Sequence, residues 1–430
     1  MLIGFTVGNF RSIKSPVTFS MVAGKIVSKN KAIDQSNLFQ YKEGVKLLKT
    51  AAIYGANASG KSNLFRAIVF FKNFVKNSSK ETQAEENIPV ESFKLSTTTE
   101  KRPSFFEMVF DIGGSIFRYG FEVDQKTIHS EWLFRTKERE TVLFKREFQK
   151  ISVRGGFPEG EGLEEKTREN TLFLSACAQW NGLISREIIK WFDNLAVISG
   201  LDDFLCRRFT ERQLENPETK GKILGLIREF DLGISDLAFK KNVITSTSLP
   251  KNMPKEIKEL ILSNKSENTS VRTTHLKLNE DDEVVGKVIF DLDENESEGT
   301  RKAFSLSGPL MDVFERGMVL VIDEFDARMH PIISKAIVQM FHDETRNPKN
   351  AQLIFVTHDT NLLDNSFFRR DQIWFTEKRK NSATDLFSLV DFKVRNDASF
   401  EKDYISGKYG GIPFLGWVNR VDVEGMNENE

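Results

Sequence analysis

The sequence of 430 residues contains few cysteines and no long apolar run, and these shortages exclude several classes of protein. Two cysteines, Cys177 and Cys206, are too few for a disulfide framework or a cysteine-based zinc site. The apolar run at residues 318–322, MVLVI, is far shorter than the roughly 18 residues that predict a membrane span. Residues 1–6 lack the basic stretch and cleavage site that are typical of a signal peptide. We therefore expect a cytoplasmic protein that makes no contact with a membrane.

An excess of either charge is also missing, because 61 Lys and Arg balance 62 Asp and Glu. A net charge of −1 excludes a globally basic nucleic-acid coat and an acidic solvating chain. A local basic face stays open, since seven Lys or Arg and only three Glu lie between Arg135 and Arg154. Contact with DNA or RNA through this face, or through residues 207–208 and 369–370, is an open alternative. The five histidines show no metal-ligand spacing.

Phenylalanine is abundant, with 37 Phe in a chain that is 39% hydrophobic, so ample core material is available. The alternation of Ile3, Phe5 and Val7 predicts an edge strand near the start of the sequence. Further on, alternating apolar residues predict an antiparallel meander with a hairpin turn at Gly113-Gly114. Its four predicted strands are residues 105–112, 116–123, 128–135 and 141–148.

From about residue 165 to residue 265, the apolar spacing changes to that of helices. One predicted helical face carries Ile184, Ile188, Phe192 and Leu195. A second helix is predicted through Ile223, Leu226, Ile227 and Phe230, and a third begins at Pro254 and continues through Ile257, Leu260 and Ile261. Because no a/d repeat persists over several heptads, we expect separate helices instead of a long coiled coil.

The strongest chemical signal is residues 55–62, GANASGKS, which match the pattern G-x-x-x-x-G-K-[ST] between a predicted strand and a predicted helix. Glycines let such a loop wrap with its amide hydrogens pointing at phosphate oxygens, and the following helix adds its positive end. Lys61 is expected to lie between the β- and γ-phosphates, and the Ser62 hydroxyl to ligate Mg²⁺. The residues expected to bind nucleotide here are Gly55, Asn57, Ser59, Gly60, Lys61 and Ser62.

A second signal is the apolar strand at residues 319–322, which ends in two carboxylates, Asp323 and Glu324. Ligands of parallel sheets bind at the carboxyl ends of the strands, where these two side chains are expected. Asp323 would complete the ligands of Mg²⁺, and Glu324 would polarise the attacking water as a general base. An exposed acidic turn after a buried strand is the alternative without chemistry.

A third buried strand, residues 353–356, ends in Thr357, His358 and Asp359. A neutral imidazole at this position can contact the γ-phosphate or the attacking water, so His358 is the second candidate catalytic residue. A structural role for this histidine is the alternative.

The order of phosphate loop, long insertion, Asp-Glu strand and His strand resembles ATP-binding-cassette ATPases, in particular the SMC/Rad50/RecF-like branch. That branch also carries an early Asn-Phe-Arg-Ser, present here as residues 9–12. The resemblance implies an α/β fold with an ABC-ATPase-like P-loop head, an antiparallel β subdomain and a helical insertion. It also implies that the ligands are ATP and Mg²⁺ and that Arg11 approaches the phosphates. Residues 1–150 and 271–430 would then form the two ATPase lobes, and residues 151–270 the mainly helical insertion.

In ATPases of this kind a signature motif of one copy contacts the γ-phosphate held by another, which implies a homodimer or higher homo-oligomer. Residues 306–309, LSGP, resemble the usual Leu-Ser-Gly-Gly, but Pro309 would interrupt the helix that should follow. Residues 297–300, SEGT, lie 26 residues before Asp323, which leaves room for a helix and a turn. We therefore assign Ser297 and Gly299 as the signature, at the start of a helix. Residues 327–331 resemble the D-loop of the same interface.

Residues 404–413, YISGKYGGIP, resemble the tail of overcoming-lysogenisation-like or RloA-type ATPases linked to restriction and abortive-infection loci. This resemblance implies a phage-defence ATPase that controls a separate, often nuclease-like effector, with a phage protein as trigger. About 70 residues follow His358, too few for a fused Toprim nuclease, so the effector is expected to be a separate protein. The alternative is a DNA-repair or chromosome-maintenance ATPase of the RecF kind. A long coiled coil or a Cys-x-x-Cys hook would favour that alternative, and the sequence shows neither.

Overall fold

The structure, a computed structural model, describes residues 1–81, 83, 85–243, 254, 267–395 and 398–412. Its internal contacts divide the chain into two units. The first unit contains residues 1–197, 317–325 and the chain from Val338 onward, and the second contains residues 198–316 and 326–337. The helix predicted through Ile257, Leu260 and Ile261 lies outside the described residues.

The strands belong to two large sheets, one three-stranded sheet and one hairpin. In chain order they are β1 (Leu2–Gly8), β2 (Val17–Ser20), β3 (Leu38–Lys42), β4 (Val45–Leu48), β5 (Thr50–Gly55), β6 (Ser104–Ile112), β7 (Ser115–Val123), β8 (Ile128–Thr136), β9 (Glu140–Glu147), β10 (Lys150–Val153), β11 (Leu195–Ser199), β12 (Ile234–Val243), β13 (Glu267–Leu278), β14 (Val284–Asp291), β15 (Val319–Asp323), β16 (Gln352–Val356), β17 (Ile373–Lys378) and β18 (Thr384–Ser388).

The helices of the described ranges vary from one turn to five turns in length. They are α1 (Lys31–Ser36), α2 (Lys61–Asn77), α3 (Phe173–Gln179), α4 (Leu183–Asp193), α5 (Phe204–Gln213), α6 (Pro217–Glu229), α7 (Glu298–Arg316), α8 (Pro331–His342) and α9 (Phe400–Ile405), with 3-10 turns at Pro158–Gly160, Thr360–Leu362, Arg370–Gln372 and Leu389–Asp391.

The first large sheet is antiparallel and has the strand order β10-β9-β8-β7-β6-β1-β2. Its strands β6 to β9 confirm the meander that the alternating apolar residues predict. The prediction that β1 is an edge strand is wrong, because β1 pairs with β6 on one side and with β2 on the other. The partner β6 lies about a hundred residues further along the chain, so the local alternation of β1 carries no information about it.

The second large sheet is mainly parallel and has the strand order β11-β15-β16-β5-β17-β18. Strands β15, β16, β5 and β17 run in one direction, and β18 pairs with β17 in the opposite direction. Every residue of β15, β16 and β5 is buried, as expected for parallel strands covered on both faces. The carboxyl ends of these three strands therefore meet at one edge of the sheet. The predicted α/β fold class is confirmed.

Helix α2 packs within the first unit through a set of aromatic side chains that accounts for part of the phenylalanine excess. Phe71 of α2 is fully buried, stacks on Phe121 at a centroid distance of 5.1 Å, and contacts Phe5 edge-on at 5.8 Å. Burial of aromatic rings of this size contributes strongly to the stability of a core. The same helix begins at Lys61, so its packing against the antiparallel sheet fixes the start of the helix.

Arg146, one of the seven basic residues between Arg135 and Arg154, is buried within the first unit. Its guanidinium group lies 3.7 Å from the buried carboxylate of Glu131 and donates to the carbonyl of Thr171 at 2.6 Å. Glu131 in turn accepts hydrogen bonds from the first amides of α3. Arg146 is therefore removed from the predicted basic face and joins β9 to the chain that enters α3.

The helical spacing of apolar residues predicts that Leu195 continues helix α4, but the structure differs. The helix ends at Asp193, and Leu195 begins strand β11 with its side chain fully buried. The carbonyl of Asn194 accepts a hydrogen bond from the amide of Val319, at the start of β15. The contact with β15, more than a hundred residues away, therefore determines the conformation of Leu195. The local spacing of apolar residues does not.

The second unit contains the sheet β12-β13-β14 and the helices α5, α6 and α7. Pro309 does not interrupt α7, contrary to the expectation from its missing N–H. Thr210 of α5 compensates, because its hydroxyl donates to the carbonyl of Ser305 at 2.9 Å, the group that a residue at 309 would otherwise satisfy. The same hydroxyl accepts from the amide of Gly308 at 3.1 Å.

Candidate functional site

The phosphate loop connects β5 to α2 and needs its two glycines for conformation and for space. Gly55 has φ +155° and Gly60 has φ +104°, a region that residues with a side chain rarely adopt. A Cβ on Gly55 would lie 2.5 Å from the carbonyl oxygen of Thr376 and 2.6 Å from the Ser59 hydroxyl. A Cβ on Gly60 would lie 2.8 Å from the Ser12 hydroxyl. Both glycines allow neighbouring chain segments to press against the loop.

Hydroxyl groups from β17, β18 and the turn after β1 hold the loop in place. The Ser59 and Thr376 hydroxyls are 2.6 Å apart, and Thr384 donates to the carbonyl of Ser59 at 2.8 Å. The Ser12 hydroxyl lies 2.7 Å from that of Thr384 and accepts from the Asn63 amide group at 2.7 Å. Sequence reasoning did not identify Thr376, Thr384 or Asn63 as parts of the site, because a lone hydroxyl or amide residue carries no pattern.

Lys61 lies inside the loop. Its ammonium group donates to the carbonyl oxygens of Gly55 at 2.7 Å and of Ala56 at 3.0 Å, and the residue is only 5% exposed. Helix α2 begins at this residue and continues for 17 residues, so the positive end of its dipole is directed at the loop. Asn57 and Ala58 are exposed at the tip of the loop, where Ala58 has φ +62°. The loop therefore combines a lysine, a helix N-terminus and strained backbone, which suits a phosphate chain.

Ser62 and Asp323 lie next to each other, which brings the predicted Mg²⁺ ligands together. Burial raises the pKa of Asp323, the adjacent Ser62 hydroxyl opposes this, and the neighbouring charge of Glu324 raises the pKa further. One carboxylate oxygen, Oδ1 of Asp323, is buried and has no hydrogen-bond partner among the described residues. A buried carboxylate oxygen beside a serine hydroxyl fits a hard divalent cation such as Mg²⁺.

Glu324 immediately follows β15 and has a left-handed backbone with φ +52°. Non-glycine residues in this region are uncommon and cluster at functional sites. The next residue holds the conformation in place, because Phe325 is fully buried and its amide donates to the carbonyl of Val356 at 2.9 Å. The side chain of Glu324 therefore lies half-buried at the sheet edge that carries the phosphate loop.

His358 is exposed and follows β16, the strand between β15 and β5. Its strand pairs with both neighbours in register, Ile322 opposite Phe355 and Val356 opposite Ile53. The parallel order therefore places His358 at the same sheet edge as Glu324 and the phosphate loop.

Arg11, which the family resemblance expects near the phosphates, contacts Glu91 in this structure. Its guanidinium group forms an ion pair with Glu91 at 2.7 Å, and its amide donates to the carbonyl of the same residue at 2.8 Å. The adjacent Ser12 contacts the loop network, so the segment is near the site. Arg11 must exchange its contact with Glu91 before it can reach a phosphate.

Ser297 and Gly299 belong to the second unit and are placed at the start of α7. The Ser297 hydroxyl accepts from the Thr300 amide at 3.1 Å, which makes exposed Ser297 the N-cap of a 19-residue helix. The alternative signature, LSGP at residues 306–309, does not lie at a helix start, since Ser307 and Gly308 are buried in the middle of α7. Ser297 and Gly299 therefore lie at a helix N-terminus as expected, and their assignment as the signature stays a prediction.

Most arginines of the two smaller basic patches, residues 207–208 and 369–370, form ion pairs. Arg207 pairs with Glu211 and Asp293, and Arg208 lies 3.6 Å from Glu211. Arg369 is 2% exposed and pairs with Asp34 and Asp371. Arg207 and Arg369 are therefore held by acidic partners, whereas the Arg208 side chain is exposed.

A family model matches residues 51–364, which is most of the chain. The family is described as "AAA domain, putative AbiEii toxin, Type IV TA system". No curated protein sequence matches the chain. Among the described residues, no helix combines the length and the apolar character that a membrane crossing requires.

Several solved structures resemble the chain at low sequence identity. The SMC head domain from Thermotoga maritima has 12% identity and a TM-score of 0.41, with 90% of this chain and 98% of that chain covered. The Smc head domain of Pyrococcus yayanosii, with its coiled coil and joint, has 11% identity and a TM-score of 0.41, with 95% and 99% covered. The recombination mediator protein RecF bound to ATPrS has 13% identity and a TM-score of 0.32, with 90% and 98% covered.

Proposed function

The chain belongs to the AAA-domain family described for AbiEii-type toxins of type IV toxin–antitoxin systems, and from that premise we propose that it binds and hydrolyses ATP. We further propose that its ATP-bound form controls a separate effector in abortive infection. The observation that carries the proposal is the Ser62–Asp323 pair with its unpartnered carboxylate oxygen, directly beside a complete phosphate loop.

The loop residues perform the binding. Lys61 moves from its carbonyl contacts with Gly55 and Ala56 to the β- and γ-phosphates, which offer full negative charge in place of two dipoles. Ser62 and Asp323 would hold Mg²⁺, which, when bound, neutralises charge that develops on the phosphate oxygens. The raised pKa of Asp323 then returns toward its usual range, because a cation favours the carboxylate.

Glu324 and His358 are assigned to hydrolysis. Glu324 orients and deprotonates the attacking water, since it follows the magnesium-binding strand and its backbone is held in one strained conformation. His358 contacts the γ-phosphate or that water from the end of the next strand. Because Glu324 does not bind the phosphates itself, the Glu324→Gln variant should bind ATP and fail to hydrolyse it.

A second copy of the chain completes the site in this proposal. Ser297 and Glu298 are exposed at the N-terminus of α7, a position that suits the γ-phosphate held by a partner copy. The ATP-bound protein would therefore be a homodimer, and hydrolysis would release it. This dimer gives the effector a surface whose presence depends on ATP.

The experiment is a pull-down from phage-infected cells with two tagged variants. Glu324→Gln should retain the effector or a phage-encoded trigger, because it accumulates the ATP-bound dimer. Lys61→Ala should retain neither, because it removes nucleotide binding, and uninfected cells distinguish effector from trigger. Full phage protection by Lys61→Ala would show that nucleotide is irrelevant and would overturn the proposal. Recovery of DNA alone with Glu324→Gln would instead favour the DNA-repair alternative.

A further inference from the structure

The segment of residues 399–412 carries the Tyr-rich and Gly-rich sequence YISGKYGGI, to which the proposed hydrolysis assigns no role. We propose that this segment, called the bridge here, positions the phosphate loop and the loop after His358 relative to each other, with Tyr404 and Glu401 as its positioning residues. The inference rests on the proposed ATP hydrolysis.

Tyr404 connects the bridge to the first glycine of the phosphate loop. Its O–H donates to the carbonyl of Gly411 at 3.1 Å, and Gly411 lies beside the Cα of Gly55. The ring is 8% exposed and stacks on Phe375 of β17 at 5.2 Å with an interplanar angle of 22°. It also contacts Tyr54, the residue before Gly55, at 5.9 Å. The ring is therefore fixed by packing, and the hydroxyl holds Gly411 through its carbonyl.

Gly410 of the bridge lies against β17, and Gly411 lies against β17 and the first glycine of the phosphate loop. Gly410 has φ +67° and Gly411 has φ +68°, so side chains are disfavoured at both positions. A Cβ on Gly411 would lie 3.7 Å from the Cα of Gly55, and one on Gly410 would lie 2.8 Å from the Glu377 carboxylate. The Gly411 amide donates to that carboxylate at 3.4 Å. The positive φ angles explain why a Gly-Gly pair occupies this position.

The other end of the bridge holds the loop that follows His358. The Thr360 hydroxyl donates to the Glu401 carboxylate at 3.1 Å, and the Asn365 side chain donates to the carbonyl of Ala398 at 2.7 Å, just before the bridge. The phenol of Tyr54 reaches the same loop and donates to the carbonyl of Asp359 at 3.2 Å. One short helix, α9, thus holds Gly411 beside the first glycine of the phosphate loop and also contacts the chain two residues after the candidate catalytic histidine.

These contacts predict different kinetic defects at the two ends of the bridge. Tyr404→Phe keeps the ring stacking and removes the hydrogen bond that holds Gly411 beside Gly55, so it should weaken binding of a non-hydrolysable ATP analogue about fivefold with little change in kcat. Glu401→Ala releases Thr360, so it should lower kcat about tenfold with KM within twofold of the wild type. Glu401→Gln keeps a carbonyl acceptor for Thr360 and should restore kcat. Lys402→Gln, an exposed residue of the same helix, is the matched control and should behave as the wild type.

A double-mutant cycle separates positioning from folding. If Glu401 acts through His358, Glu401→Ala should add no further loss of kcat to His358→Ala. Additive losses, a wild-type kcat for Glu401→Ala, or unchanged analogue binding by Tyr404→Phe would each overturn the inference. A common loss in all bridge variants that follows a lower unfolding midpoint would overturn it as well. The Tyr404 measurement uses binding alone, so it tests the inference even if the wild type binds ATP and does not hydrolyse it. Such a result would contradict only the proposed function.

Discussion

At the scale of single residues, the site depends on glycines that let other chain segments approach the phosphate loop and on hydroxyl groups that hold those segments there. Gly55 leaves room for Thr376, and Gly60 leaves room for Ser12 and Thr384. The motif predicted the glycines and Lys61, since their spacing is specific. It did not predict the supporting hydroxyls, because Thr376 and Thr384 lie more than three hundred residues from the loop and have no pattern of their own.

Lys61→Ala should abolish ATP binding. The variant removes the one ammonium group inside the loop, where it is 5% exposed, and leaves the phosphates without their closest cation. Titration with a fluorescent ATP analogue should show at least about a hundredfold weaker binding, which is about 2.7 kcal/mol. Lys46→Ala, at an exposed lysine of β4, is the control. Wild-type affinity in Lys61→Ala would remove the phosphate loop from the account.

At the scale of elements, the sequence predicted those whose pattern is local and strong. β5, α2, β15 and β16 agree with prediction, because a phosphate motif and unbroken apolar runs define them. The position of β1 inside its sheet and the strand conformation of Leu195 were not predictable, since both depend on partners about a hundred residues away. The prediction that Pro309 interrupts a helix failed for the same reason. The hydroxyl that replaces its missing N–H belongs to Thr210 of another helix.

Thr210→Val should destabilise the second unit by about 1–3 kcal/mol, because the Ser305 carbonyl and the Gly308 amide lose their partner. Urea unfolding followed by circular dichroism measures the change. Pro309→Ala restores an N–H four residues after Ser305, so the cost of Thr210→Val should be smaller in that background. An equal cost in both backgrounds would mean that Thr210 does not compensate for the proline.

His342, at the end of α8, makes stability depend on pH. Burial lowers its pKa from 6.5 to about 3, and its Nε2 lies 2.8 Å from the Thr50 hydroxyl. The unfolded chain therefore binds a proton below about pH 6.5 that the folded chain does not bind until about pH 3. The free energy of unfolding should fall by about 2 kcal/mol from this group between pH 7 and pH 5.

Urea unfolding of His342→Asn at these two pH values tests that contribution. The variant should show a flatter pH dependence than the wild type, whereas His330→Gln, at an exposed histidine, should keep the wild-type dependence. An unchanged pH dependence in His342→Asn would show that the buried imidazole titrates near its usual pKa in the folded protein.

At the scale of the whole molecule, balanced charge agrees with a protein that recognises one polyanion through a few placed groups. The chain carries 61 basic and 62 acidic residues, and several arginines considered for surface contact are paired or buried, among them Arg146, Arg207 and Arg369. The candidate site brings one lysine, one helix N-terminus and one carboxylate–hydroxyl pair to a single sheet edge. Binding at such a site requires no bulk positive charge.

The central claim is that this site hydrolyses ATP through Glu324 and that ATP joins two copies of the chain. The most direct measurement compares the wild type with Glu324→Gln for phosphate release and for molar mass by light scattering, each with ATP and Mg²⁺. We predict turnover in the wild type, and in Glu324→Gln a loss of at least about a hundredfold with a dimer that persists only in the presence of ATP. Equal phosphate release by the two proteins, or a monomeric Glu324→Gln with saturating ATP, would contradict the account.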